Sequence, residues 1–105
     1  MPKNAPQIGV SKESILIALE MHKSELTSRF KINQIGLFGS YARGEQTAGS
    51  DIDLLVEFLP GADLFDLSGL KQYFEKMFNH HVDVVPKRAL RDESRAAVLA
   101  DVTYV

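Results

Sequence analysis

Three aspartates in this 105-residue chain stand where strand-forming residues would be expected. Asp51 and Asp53 open the apolar run Asp-Ile-Asp-Leu-Leu-Val (51 to 56), and Asp83 sits inside Val82-Asp-Val-Val85. Aspartate is disfavoured in strands, and a local rule broken in this way is where a functional site is expected. Side chains alternate along a strand, so Asp51 and Asp53 should share one face while Ile52 and Leu54 take the other. Neighbouring carboxylates repel and raise each other's pKa unless a cation lies between them. Mg²⁺ suits such a set, because it takes oxygen ligands and completes its octahedron with water and phosphate oxygens. Two such ions, about 4 Å apart, lower the pKa of an attacking hydroxyl and neutralise a leaving pyrophosphate. Asp51, Asp53 and Asp83 are therefore the predicted catalytic residues and the predicted ligands of two Mg²⁺ ions. A lone Asp-x-Asp would read more simply as a turn residue followed by a solvated acid; Asp83 and the next motif argue otherwise.

That motif is Gly39-Ser40, which follows the short apolar run Gln34-Ile-Gly-Leu-Phe38. A strand that turns sharply through Gly-Ser into a helix start aims free backbone N–H groups and a hydroxyl at one point, which suits a phosphate. Gly39 and Ser40 are the predicted phosphate-binding pair. Gly-Ser turns are common and usually structural, so the weight rests on their conjunction with the aspartates.

Other chemistry-bearing residues read more plainly. His80 and His81 are adjacent, and on a strand would point to opposite faces, so they are not expected to share one ion. His22 lies at the edge of an apolar stripe and reads as a packed histidine. Phe65, Tyr73, Phe74 and Phe78 read as core. Lys87 and Arg88 follow Asp83 closely enough to help neutralise a triphosphate, but exposed basic residues after a strand are usually only solvated.

The elements that must position these residues follow from periodicity. Residues 1 to 10 read as a loose leader with two prolines. Ser11 is a predicted N-cap, with Val10 and Ile15 placed for a hydrophobic staple. Ile15, Leu19, Leu26 and Phe30 recur at helical spacing, predicting one amphipathic helix from about 12 to 29. Strands are expected over 34–38, 51–58 and 82–85, the last stopped by Pro86. A short helix or turn is expected over 41–45. Asp63 is expected to cap a helix running to 78 with Gly69 as a mild penalty, and Asp92 to cap a last helix. Residues 102–105 are left as an edge strand or tail. The first two strands are joined too tightly for a crossover helix and should be antiparallel, whereas helix 63–78 can make a parallel crossover. The predicted fold is an α/β (α+β) domain with a small mixed β-sheet of three or four strands flanked by helices, in a single domain spanning 1–105.

Composition narrows the function classes. The formal net charge is −2 and no basic excess gathers in one stretch, so a nucleic-acid partner is disfavoured. There are no cysteines, which excludes disulfides, thiolate zinc sites and thiol nucleophiles and fits a reducing cytoplasm. No apolar stretch approaches the roughly 18 residues of a membrane span, so no membrane association is expected.

Taken together, Gly39-Ser40, ten intervening residues and Asp51-Ile-Asp53 resemble the signature of the DNA polymerase β-like nucleotidyltransferase superfamily. The surrounding Phe-Gly-Ser-Tyr-Ala-Arg-Gly and Ser-Asp-Ile-Asp-Leu-Leu-Val are similar to its minimal nucleotidyltransferase (MNT) branch. The resemblance extends from the first helix to the Val-Asp-Val-Val strand. It implies the nucleotidyltransferase fold, a triphosphate held by Gly39 and Ser40, both metals held by Asp51 and Asp53, and a metal site completed by Asp83, which assists deprotonation of the acceptor hydroxyl. Arg43 and Ser50 fall in the same stretch and are included as nucleotide-binding candidates, although Arg43 could equally pair with Asp51 or Glu45.

MNT proteins of this kind commonly act as antitoxins beside a HEPN-domain ribonuclease toxin. The resemblance thus implies AMP transfer from ATP to a tyrosine of such a toxin, and a complex with that partner. Two other functions are compatible with the residues: a binding module that blocks its partner stoichiometrically, and a stand-alone enzyme acting on a small hydroxylated molecule such as an aminoglycoside. The missing acceptor domain weighs against the last.

Overall fold

The computed structural model describes residues 10–105; the expected leader, apart from Val10, lies outside the described residues. The elements are α1 (Lys12–Met21), α2 (Lys23–Phe30), β1 (Ile32–Phe38), α3 (Gly39–Arg43), β2 (Ile52–Phe58), α4 (Leu64–Phe78), β3 (Val82–Pro86), a 3₁₀ turn (Lys87–Ala89), α5 (Asp92–Asp101) and β4 (Thr103–Tyr104). The strands form one mixed sheet in the order β3-β2-β1-β4. β1 runs antiparallel to β2 and to β4, and β2 parallel to β3 through the α4 crossover, as the connection lengths predict.

One face of the sheet carries the main core. Ile35 and Leu37 of β1 stand opposite Val56 and Leu54 of β2, and all four are buried. Ile15 and Leu19 of α1, Leu26 and Phe30 of α2, and Leu70 and Phe74 of α4 close over them. Full burial of a side chain such as Leu70 or Phe74 contributes about 1.5–3 kcal/mol. Leu55, between Leu54 and Val56, projects to the opposite face and is also buried.

The helix ends follow their sequence signals. The Ser11 hydroxyl accepts from Ser14 N–H (3.1 Å) while Ser14 Oγ accepts from Ser11 N–H (2.9 Å), and Val10 packs on the core as a staple residue should. Asp63 caps α4 by accepting from Phe65 and Asp66 N–H at 3.0 and 3.1 Å. Asp66 Oδ2 accepts in return from Asp63 N–H at 3.0 Å.

Several expectations need correction. The single helix over 12 to 29 is two helices broken at His22, whose Nδ1 lies 2.8 Å from the Ala18 carbonyl and shares it with the His22 backbone N–H at 3.1 Å. Asp92 is not the cap of α5 but its first residue, with Arg91 in the cap position making no side-chain bond; the acid suits the positive end of the helix there. Pro86 does not stop β3 but ends it in register with Val56, on an outer strand whose outward edge asks for no N–H at that position. Phe65 is not core: it is 86% exposed, beside Leu64 at 78%.

Candidate active site

β1 and β2 bring the two motifs together. The register pairs Phe38, the last residue of β1, with Asp53. The chain then turns at Gly39, whose φ of 78° lies in the left-handed region that glycine tolerates best. A Cβ at Gly39 would collide with the Asp53 carboxylate, with Cγ only 3.1 Å away. The glycine is therefore required twice, for the turn and for the approach. Ser40 follows in the first turn of α3, half-buried, and its carbonyl accepts from Glu45 N–H at 2.9 Å.

The parallel pairing of β2 with β3 sets Asp83 directly beside Asp53. Asp51 sits just before β2, one strand period from Asp53, and its Oδ1 lies 3.3 Å from His81 Nδ1. Burial, then the charges of Asp83 and Asp51, push the Asp53 carboxyl up to about 6, against a smaller lowering by Arg43. The part due to Asp83 and Asp51, second to burial, is the repulsion that the spacing predicts. Among the described residues, no three acid, histidine or cysteine side chains close into a preformed metal cage.

Arg43 and Ser50 have local partners. The Arg43 guanidinium donates to Glu45 Oε1 (3.0 Å) and to Asp101 Oδ2 (2.6 Å), tying α3 to the end of α5, and both acids raise its pKa. It pairs with Glu45 as one of the alternatives held, and with Asp101, which the sequence reading did not weigh. Ser50 Oγ accepts from Thr47 N–H at 2.9 Å and so closes the turn that delivers Asp51.

The two histidines diverge, as expected of neighbours on an extended segment. What sequence reasoning missed is that both hold the approach to β2. His80 Nε2 donates to the Ser50 carbonyl at 2.7 Å and lies 3.4 Å from the Tyr41 hydroxyl, with the rings edge to face. His81 faces Asp51, and its carbonyl accepts from Ile52 N–H at 3.0 Å. Only the parallel register of β2 and β3 brings residues 80–81 to residues 50–52. No local pattern announces it.

A mixed sheet of this order, with carboxylates on adjacent strands beside a Gly-Ser turn, defines a nucleotidyltransferase. Residues 19–105 match the family described as Nucleotidyltransferase domain. The protein adenylyltransferase MntA of Thermococcus cleftensis is 43% identical over 93 residues, covering 89% of this chain and 91% of that protein. A solved structure provisionally assigned as a minimal nucleotidyltransferase is 35% identical and superposes with a TM-score of 0.77 over 90% of this chain and 95% of its own. A solved toxin–antitoxin complex with AMP-PNP is 28% identical, with a TM-score of 0.66 over 81% of this chain and 70% of that one. The chain belongs to the nucleotidyltransferase domain family, in its minimal, MntA-like branch. No helix among the described residues is long and apolar enough to cross a membrane.

Proposed function

We propose that residues 1–105 act as one minimal nucleotidyltransferase domain that moves AMP from ATP to a hydroxyl of a protein partner. By the resemblance of its motifs, that partner is a HEPN-domain ribonuclease toxin and the hydroxyl a tyrosine, which makes this chain an antitoxin. The observation that carries the reading is Asp53, set between Gly39 on one side and Asp83 on the other. The relative named a protein adenylyltransferase supports the reaction, and the toxin–antitoxin complex with AMP-PNP supports both the nucleotide and the kind of partner.

An all-carboxylate donor set fits Mg²⁺, and Asp53, raised by burial first and by the charges of Asp83 and Asp51 second, is a carboxyl that a dication would hold ionised. Asp51 and Asp53 would hold two ions, with Asp83 completing the site. Bound there, Mg²⁺ supplies charge neutralisation of the pyrophosphate and a lowered pKa at the acceptor hydroxyl. Gly39 N–H and the Ser40 hydroxyl donate to the triphosphate and hold the α-phosphorus in line. Asp83 orients the acceptor hydroxyl and draws its proton away. The acceptor oxygen then forms a bond to the α-phosphorus, and the bond to the pyrophosphate oxygen breaks. Arg43, tied to Glu45 and Asp101, and Ser50, closing the 47–50 turn, act by keeping this end of the sheet in shape.

The test is incubation of the purified chain with α-³²P-labelled ATP, Mg²⁺ and the candidate helical partner, beside an Asp51→Asn/Asp53→Asn control. Label on the partner that disappears with the double substitution supports the reading. Tight complex formation without label on any partner or small acceptor replaces it with stoichiometric blocking.

A further inference from the structure

The end of β2 remote from the aspartates opens into a cavity of about 460 Å³, lined by Glu57, Phe58, Pro86, Lys87, Arg88 and Arg95 among others. Elsewhere among the described residues, Arg29 pairs with Glu25, Lys31 with Asp66, Arg43 with Glu45 and Asp101, and Lys71 with Glu75. Lys12, Lys23, Lys76 and Arg91 line no shared cavity with Lys87, Arg88 and Arg95. Among the described residues, Lys87, Arg88 and Arg95 form no ion pair; the Lys87 ammonium rests 5.8 Å from the Tyr104 ring centre. The single acid in the cavity, Glu57, is engaged by Asn33 Nδ2 at 2.8 Å. A chain of net charge −2 thus gathers three cations against one carboxylate around a single concavity. Two come from the 3₁₀ turn after β3 and the third from α5.

We propose that this cavity is a second phosphate-binding site, taking the phosphate of a nucleotide or of a nucleotidyl group. Its size falls within the range of small-ligand pockets. Two guanidinium forks and an ammonium match phosphate oxygens, and Phe58 offers an apolar wall. The site is distinct from the Gly39-Ser40 end. Asp53 and Glu57 are four residues apart on an extended strand, about 13 Å, and β1 places Gly39 beyond Asp53 on the far side. The phosphate is either that of a free nucleotide or the diester of one already joined to an acceptor. The inference does not depend on the acceptor proposed above.

Calorimetric binding of inorganic pyrophosphate and of the dinucleotide ApA to the full chain in EDTA tests it, because without divalent ions the aspartates repel phosphate. Pyrophosphate binding is expected to weaken at least about tenfold in Arg88→Ala/Arg95→Ala. It should return in Arg88→Lys/Arg95→Lys and persist in Ser40→Ala. Binding of pyrophosphate alone supports the site and assigns the phosphate to a free nucleotide; binding of ApA as well supports it and assigns a diester. No pyrophosphate binding by the wild type, or binding lost in Ser40→Ala but kept in Arg88→Ala/Arg95→Ala, overturns the proposal. These readouts involve no transfer, so an inactive enzyme would leave them standing.

Discussion

Asp53 and Asp83 are register partners on adjacent parallel strands, and the carboxylate of Asp53 rests against the one residue of the turn that lacks a side chain. The fold thus forces negative charges together while closing off the space in which Asp53 could swing away. Its carboxyl is held at about 6 by burial first and by its acidic neighbours second.

The first prediction concerns pH. A carboxyl whose folded pKa lies above its ordinary value of 3.8 disfavours the ionised folded state. Below pH 4 it is protonated folded or unfolded and costs nothing. The cost grows between pH 4 and 6 and is full above 6. Metal-free wild type should therefore lose stability across that window, whereas Asp53→Asn should not. Thermal melts in EDTA should show Asp53→Asn a few degrees more stable than wild type at pH 7.5 and no more stable at pH 4, while its transfer activity is lost. Mg²⁺ should raise the wild-type Tm more at pH 7.5 than at pH 5. An equal Tm difference at both pH values would show that the carboxylates are not in strain.

A pair of glycines separates backbone from site. Gly39 and Gly44 both have positive φ, 78° and 71°, yet a Cβ on Gly44 meets nothing within 4 Å. Alanine at either position should cost about 1–3 kcal/mol of backbone strain. Only Gly39→Ala should cost more than that in urea unfolding and abolish label transfer, because only it drives a methyl group into Asp53. Equal stability losses with activity retained in both variants would remove Gly39 from the site.

The element types and the site's acids were legible because each carries a local signal. Alternation exposes Asp51 and Asp53, the apolar run exposes Asp83, and the Asp63 cap is announced by Asp66 three residues on. What was not legible depends on long-range register. The β2–β3 pairing joins 50–52 to 80–82, and the meeting of the 3₁₀ turn with Glu57 and Phe58 at the end of β2 is tertiary. The break at His22 escaped because the stripe continues through it; only the ring nitrogen's bond to Ala18 marks the bend. Phe65 was misjudged because hydrophobicity at a helix start does not say which way that turn faces.

Gly69 offers a test of packing against propensity. In a solvent-facing helix, Gly→Ala stabilises by about 1 kcal/mol. Here the new Cβ would lie 3.2 Å from Cε1 of Phe30, where α2 meets α4. Phe30 is itself edge to face with Tyr73 at 5.4 Å, so the ring has little room to yield. Gly69→Ala should therefore show no gain in urea midpoint. A gain near the full propensity value would mean that the α2–α4 contact is softer than the structure indicates.

The last prediction concerns His80, a positioning residue for the approach to the acids. Its Nε2–H holds the Ser50 carbonyl, and Ser50 precedes Asp51 directly. Ser50 Oγ in turn closes the turn at Thr47. Removing the imidazole should leave the core intact, since the ring lies at the margin of the sheet beside Tyr41. It should free the 47–51 turn and let Asp51 drift from Asp53. Supporting partners of metal-ligating side chains typically matter by about 10–100-fold in metal affinity or activity. His80→Ala is expected to show a loss of that order, seen as a higher Mg²⁺ concentration for half-maximal transfer with little change in Tm. His80→Gln, which keeps an N–H donor, should recover part of it. If the Mg²⁺ dependence of His80→Ala matches wild type while its Tm falls, the histidine serves only the fold.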